Sequence, residues 1–231
     1  MLLNGNKILD HKQEFLSYVD RRKTGEPLQY IIGQWDFMGQ TLKTDPRALI
    51  PRPETELLVE LALQTLTKPA KVLDVCTGSG CIAIAMAAAG HQVTAIDISH
   101  QALSLAMENG AGLDIKFIQS DLFENVTGTF DLIISNPPYI TAQEMEALAP
   151  TVAEYEPHLA LYGGQDGMDI YRKLIPQSLN YLNPGGALFL EIGPAQVKDI
   201  MAGEGFTNVI LQKDYAGLPR IVYGIKENNN V

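Results

Sequence analysis

Two cysteines and four histidines in 231 residues leave little material for metal or disulfide chemistry. The histidines are scattered, so no metal site is expected. Cys76 and Cys81 flank a glycine loop, and a reduced cytosolic pair is the expected state rather than a disulfide. Long hydrophobic runs are missing too. The nearest approach, "CIAIAMAAAG", is about half the ~20 residues that a membrane span requires. The start, "MLLNGNKILDHKQEF", lacks the apolar segment and cleavage site of a signal peptide. A cytoplasmic chain without a membrane partner is therefore expected. Basic charge is also in deficit: 17 Lys and Arg stand against 27 Asp and Glu, for a net −10. Residues 1–52 carry +2 and the remainder −12. An acidic body argues against broad contact with a phosphate backbone, and no direct nucleic-acid binding is expected. "DRRKTGEP" and "PRALIPRPE" are local basic exceptions, and each reads equally well as a solvated helix end or loop.

What is present is an alternating pattern. Residues from about Lys7 to Arg22 read as a helix with Ile8, Phe15, Leu16 and Val19 on its apolar face, and "TGEP" ends it. "QYIIGQWDFMGQTLKTDP" reads as a small hairpin. In "IPRPETELLVELALQTL", Pro53 suits a first helical turn and Glu54 and Glu56 suit the positive end of the helix dipole. Leu57, Leu58, Leu61 and Leu66 supply the buried face. From Lys71 strands and helices alternate. "KVLDV", "QVTAID", "IKFIQSD", "FDLIISN" and "GGALFLEIG" are strands, nearly continuously apolar, as in a parallel sheet covered on both faces. "CIAIAMAAAG", "HQALSLAMENG", "MDIYRKLIPQSLNYL" (kinked at Pro176) and "PAQVKDIMAGEG" are helices. "TNVILQKD" and "PRIVYGIK", joined by "YAGL", read as a terminal antiparallel hairpin, and the tail "ENNNV" as disordered. The expected division is an N-terminal helix plus hairpin over 1–52, a main domain over 53–226, and a tail over 227–231.

"VLDVCTGSGCIAIA" places a glycine turn between strand and helix. Glycine there lets backbone approach a ligand closely. Asp97 ends the next strand, where a carboxylate can accept both hydroxyls of a ribose. "GSGCIA" also fits the dinucleotide fingerprint, so the loop alone does not separate a nicotinamide cofactor from S-adenosylmethionine. Two features favour the latter. Asp74, at the end of the first strand, would repel a pyrophosphate and welcome an ammonium or sulfonium. Thr77 and Ser79 offer hydroxyls to an amino-acid moiety. Asp121 and Leu122 in "QSDLF" are placed to read an adenine amino group and ring edge, or else form a surface turn.

"FDLIIS" runs straight into "NPPY", and prolines cannot continue a central strand. A planar amide or exocyclic amine is a poor nucleophile because its lone pair is delocalised. Asn136 Oδ1 and the Pro137 carbonyl can grip its two N–H hydrogens, with Pro137 and Pro138 fixing the carbonyl's direction. Tyr139 can stack on the planar group. Both acceptors bind more strongly as the nitrogen becomes positive.

These motifs resemble an S-adenosylmethionine-dependent methyltransferase acting on a planar nitrogen. "GEPLQYIIGQWDFMG", "LIPRPETELLVE", "EPHLALYGGQDGMDIYRKLI" and "KDYAGLPRIVYG" narrow the resemblance to the release-factor glutamine methyltransferase (PrmC/HemK) family, from about Arg21 to Lys226. The resemblance implies an α/β, Rossmann-like class I methyltransferase fold with a seven-stranded, mostly parallel sheet and antiparallel terminal hairpin. It implies methyl transfer from S-adenosylmethionine, with S-adenosylhomocysteine as product. The acceptor would be the side-chain amide nitrogen of the glutamine in the Gly-Gly-Gln tripeptide of class 1 peptide-chain release factors. By motif, the cofactor loop is Cys76, Thr77, Gly78, Ser79 and Gly80. The ribose acid is Asp97, the adenine region is Asp121–Leu122, and Asn136 borders cofactor and substrate. Asn136, Pro137, Pro138 and Tyr139 hold the substrate amide. Cys76 stands where many members have glycine, and Leu122 where some have an aromatic residue. One helix precedes "RRKTGEP", where members carry a helical domain that helps engage the release factor; a short form or a missing start is expected. Arg52 in "IPRPE" is a candidate cover for cofactor or substrate, or simply part of a proline-started helix. The alternatives are a methyltransferase for an exocyclic amine of adenine or guanine in RNA or DNA, a binding protein without turnover, and a nicotinamide dehydrogenase, in which "NPPY" has no task.

Overall fold

The computed structural model describes residues 5–66, 68–193 and 196–227. Its elements, in chain order, begin with α1 (Gly5–Lys23), α2 (Leu28–Ile32), β1 (Gln34–Phe37), β2 (Gln40–Lys43) and α3 (Pro53–Thr65). The alternating part follows as β3 (Lys71–Val75), α4 (Cys81–Ala88), β4 (Gln92–Asp97), α5 (His100–Asn109), β5 (Ile115–Gln119) and β6 (Phe130–Ser135). After β6 come α6 (Ala142–Glu146), α7 (Pro150–Ala153), a 3-10 turn (His158–Ala160) and α8 (Asp169–Ser178). The chain closes with β7 (Leu182–Glu191), α9 (Val197–Gly203), β8 (Phe206–Lys213) and β9 (Pro219–Lys226).

Seven strands form one sheet in the order β5-β4-β3-β6-β7-β9-β8. The strands β3 to β7 pair in parallel, and β9 runs antiparallel to both β7 and β8. The expected terminal hairpin is present, with its second strand inserted inside its first. Strand alternation divides the core. Leu73, Ile133 and Leu188 face α8 and α9, while Val72, Leu132 and Phe189 face α3 and α4. Burying one such side chain contributes about 1.5–3 kcal/mol. Chain order reverses between β3 and β6, which pair with Val75 opposite Ser135. Ligands of such sheets bind beyond the carboxyl ends of the strands at this reversal. The glycine loop leaves β3 there, and Asn136 leaves β6.

Four expectations change. Gln29–Ile32 are helical, so the hairpin is confined to β1 and β2. Tyr30 and Ile31 are adjacent and both buried, which an exposed two-stranded hairpin with one covered face does not arrange, and Gly33 ends α2 in the left-handed region (φ 79) with its N–H on the Gln29 carbonyl. On α1, Phe15 and Leu16 are exposed, Val19 is half-buried, and the side chain of Ile8 lies outside the described residues. The fully covered face of α3 is Thr55, Leu58, Val59 and Ala62; Leu57, Leu61 and Leu66 are only partly buried. Three short elements, α6, α7 and the 3-10 turn, occupy a stretch for which sequence gave no assignment. Pro176 lies near the end of α8, which stops two residues later. The start of "PAQVKDIMAGEG" and residues 228–231 of the tail lie outside the described residues. Among the described residues no helix is long and apolar enough to cross a membrane.

Candidate active site

One cavity opens over the carboxyl ends of β3, β4 and β6. Its floor is the glycine loop. Cys76, Gly78 and Gly80 all take positive φ (59, 56 and 83). Gly78 has open space where a Cβ would stand, whereas a Cβ on Gly80 would lie 3.0 Å from the Ala106 Cβ. Gly78 thus exposes backbone to a ligand, and Gly80 lets α5 pack close to the turn. Cys76 accepts the left-handed conformation despite its side chain, which packs against the core. Burial pushes its thiol well above the ordinary range and that of Cys81 up to about 12. Both thiols are therefore neutral, and they are unpaired.

Asp97 borders the cavity and accepts the Gly78 N–H on Oδ2 (2.9 Å) and the Ser99 N–H on Oδ1 (2.8 Å). Burial raises its pKa, and these amides oppose the rise. Asp74 is fully buried behind the loop. Its Oδ2 accepts the Thr77 hydroxyl (2.5 Å) and the Ala83 N–H (3.1 Å). Its Oδ1 is the one buried side-chain polar atom, among the described residues, without a partner. Burial pushes this carboxyl up to about 7. Because the Thr77 proton is committed to Asp74, Thr77 turns only an acceptor toward the cavity. Ser79 is buried at the cavity edge. Asp121 is exposed on the rim, while Leu122 is buried with φ 47 and its carbonyl is held by the Ser120 hydroxyl (2.7 Å).

The Ser135 hydroxyl donates to the Val75 carbonyl (2.6 Å), tying the ends of β6 and β3. Asn136 and Pro138 line the same cavity as the glycine loop. Pro137 is buried, and Tyr139 faces a neighbouring hollow. The peptide bonds here are trans. Asn136 Nδ2 donates to Thr55 Oγ1 (3.1 Å), and Thr55 donates to Glu191 Oε2 (2.7 Å). The Tyr139 hydroxyl lies 3.4 Å from Glu191 Oε1 and 3.4 Å from Arg220 Nη1. Burial raises the Tyr139 pKa, so the phenol stays protonated. A Cβ on Gly193 would lie 2.6 Å from the Tyr139 ring, and one on Gly163 would lie 2.6 Å from the Tyr139 Cα. The Gly163 segment runs beside the turn, with the Ile140 N–H on the Leu161 carbonyl and the Gly163 N–H on the Ile140 carbonyl (2.9 Å each). Sequence reasoning missed Thr55, Gly163, Glu191 and Gly193. A lone acid at the end of the apolar strand "GGALFLEIG" was the available signal for Glu191.

Arg52 both lines the cavity and pairs with Glu156 (2.5 Å), whose buried carboxylate also accepts the Ile50 N–H (3.2 Å). This pair joins the segments 47–52 and 157–160, both of which line the cavity. Arg52→Ala strands the Glu156 carboxylate. The expected loss is about 2 kcal/mol, below that of a fully buried pair because Arg52 is about a third exposed. Thermal melting is expected to fall by about 4–8 °C; an unchanged melting curve contradicts this role.

A loop bared at Gly78, the Asp97 carboxyl at the cavity wall, and the unpartnered Asp74 oxygen behind the Thr77 hydroxyl suit a cofactor with a cationic centre. They suit a pyrophosphate poorly. Together with the sheet order, they define a class I methyltransferase, the S-adenosylmethionine-dependent type of fold. Residues 53–163 match the methyltransferase small domain, and residues 1–33 match the PrmC N-terminal domain. A solved methyltransferase from Pyrococcus furiosus shares the fold (TM-score 0.62, 22% identity, 82% of this chain and 90% of that one). The release factor glutamine methyltransferase of Geobacter sulfurreducens is 43% identical over 214 residues, covering 89% of this chain and 75% of that protein. That of Lactococcus lactis is 43% identical over 226 residues, covering 94% and 84%. This chain belongs to the release factor glutamine methyltransferase family.

Proposed function

We propose that the chain transfers a methyl group from S-adenosylmethionine to the side-chain amide nitrogen (N5) of the glutamine in the Gly-Gly-Gln motif of class 1 peptide-chain release factors, in the cytoplasm. The observation that carries this reading is the placement of Asn136, whose Oδ1 has no partner among the described residues, in the cavity of the glycine loop. S-adenosylmethionine supplies a methyl group on a sulfonium, an electrophile strong enough to need no covalent enzyme intermediate. The chain's residues bind and orient. Asp97 accepts the ribose hydroxyls. Asp121 and the backbone at Leu122 face the adenine. Cys76 to Gly80 line the methionyl portion, where Thr77 and the Asp74 carboxylate behind it favour positive charge. Asn136 Oδ1 and the Pro137 carbonyl accept the two N–H hydrogens of the substrate amide and turn its lone pair toward the methyl. Pro138 and Tyr139 hold the turn that aims them. Before α3, Phe37 and Leu42 pack into the main core and Arg47 to Arg52 line the cavity, and the release factor engages this segment together with the site.

Asp97→Asn removes the charge and one of the two acceptors. The expected result is a cofactor Kd raised about 10- to 100-fold in calorimetry; an unchanged Kd contradicts the ribose role. The function itself is tested with labelled S-adenosylmethionine offered a release factor, its Gln→Ala variant, and total RNA. Label on the wild-type factor alone supports the reading. Label on RNA supports transfer to an exocyclic base amine instead, which the −12 charge of residues 53–231 opposes.

A further inference from the structure

Thr55 stands in the first turn of α3 and Glu191 ends β7; they are 2% and 1% exposed. Neither belongs to the glycine loop or to the proline turn, yet a hydrogen-bond chain joins both to Asn136. Its direction follows from donor counts. A threonine hydroxyl has one proton. Thr55 gives it to Glu191 Oε2 at 2.7 Å. The Thr55 oxygen can then only accept, so Asn136, 3.1 Å away, must present its Nδ2. An amide that turns its NH2 inward turns its oxygen outward. Among the described residues no donor reaches that oxygen, and Asn136 lines the cavity.

The opposite arrangement would fail. With Thr55 donating to Asn136 Oδ1, the Asn136 NH2 would face the NH2 of a substrate amide, donor against donor. Glu191 prevents this while Oε2 carries no proton, because that oxygen can then only accept. Thr55 and Tyr139 contact the carboxyl, and the charges of Arg220 and Glu54 act on it. Burial pushes it up to about 7, against the pull of Thr55 and Arg220. The Tyr171 hydroxyl donates to the Glu191 carbonyl (2.8 Å) and fixes the strand end. A buried acid in an apolar strand is costly to keep. Here it sets a direction that an apolar residue could not.

We propose that Thr55 and Glu191 are positioning residues that hold the Asn136 side chain with its oxygen toward the substrate. The proposal rests on Asn136 gripping the substrate amide. Replacing the Thr55 hydroxyl by a methyl group leaves Asn136 Nδ2 and Glu191 Oε2 unpaired and frees the Asn136 side chain to turn, at nearly constant volume.

The test compares wild type, Thr55→Val, Thr55→Ser, Asn136→Ala and the Thr55→Val/Asn136→Ala double variant, with a purified release factor and S-adenosylmethionine. Thr55→Val is expected to lower kcat about 10- to 100-fold, measured well below the melting temperature, with cofactor Kd close to wild type and the melting temperature lowered by about 2–12 °C because Glu191 Oε2 loses its partner. Thr55→Ser should recover kcat to within about threefold, since it restores the hydroxyl. In the Asn136→Ala background, Thr55→Val should lower kcat no further. Glu191→Gln, which can present a donor to Thr55, should lower kcat in the wild-type background and add little to Thr55→Val. Three results overturn the proposal while leaving the Asn136 reading standing: wild-type kcat in Thr55→Val beside a crippled Asn136→Ala, a Ser variant no better than Val, or multiplicative losses in the double variant. Wild-type kcat in Asn136→Ala overturns the grip itself and the positioning role with it.

Discussion

Asn136→Ala lowers kcat for transfer to the release factor by about 100- to 1,000-fold, the scale of losing one preorganised polar contact to a transition state. The amide nitrogen of glutamine is nearly uncharged in the ground state and becomes positive as the methyl arrives. An acceptor held against its N–H therefore binds the transition state more tightly than the substrate. The loss is expected in kcat, with a smaller change in the KM for the release factor. Asn136 also borders the cofactor cavity, so the cofactor Kd must be measured alongside. A rise in Kd with no fall in kcat would make Asn136 a cofactor contact and not a grip on the amide. Steady-state kinetics under cofactor saturation separates the two.

Gly163→Ala is expected to damage both fold and turnover. Its Cβ would stand 2.6 Å from the Tyr139 Cα, 2.7 Å from the Pro138 carbonyl oxygen and 2.9 Å from the Tyr139 carbonyl carbon. All three are backbone atoms of the proline turn, so no side chain can swing aside. Either that turn or the Leu161–Gly163 segment must move, although the two are bonded through Ile140. Overpacking of this kind costs about 1–3 kcal/mol. In a chain of this size that lowers the melting temperature by roughly 2–12 °C. A shift of about 1 Å at the turn costs on the order of 100-fold in rate. Activity measured well below the melting temperature distinguishes displacement of the turn from simple unfolding. Near-wild-type kcat there would contradict the account of how the turn is held.

The central strands were legible because their burial on both faces leaves almost nothing polar in them, as "FDLIIS" illustrates. The glycine loop and the proline turn were legible for the opposite reason: each breaks a strand where the sheet would otherwise continue. The stretch from Thr141 to Met168 was not readable as structure. Its helices are four and five residues long with no buried residue, so they carry no apolar stripe. Thr141 and Glu144 do form a capping box, a local signal that was available. The smallness of Gly163 serves a close approach to backbone some 24 residues earlier in the chain, which no local pattern reports. Distant partners explain the remaining gaps. Thr55 is 81 residues from Asn136 and 136 from Glu191. No periodicity joins positions so far apart, and only the sheet order brings them to one place. Arg52 proved to have a structural task, its pair with Glu156, beside its place in the cavity wall.

The most direct test of the central claim is peptide mass spectrometry of a release factor incubated with this chain and S-adenosylmethionine, against an enzyme-free control. The account predicts one added methyl group, on the side-chain amide of the glutamine in the Gly-Gly-Gln peptide and absent when that residue is alanine. A methyl group found on any other residue, or an unmodified Gly-Gly-Gln peptide from an enzyme that binds cofactor, would contradict it.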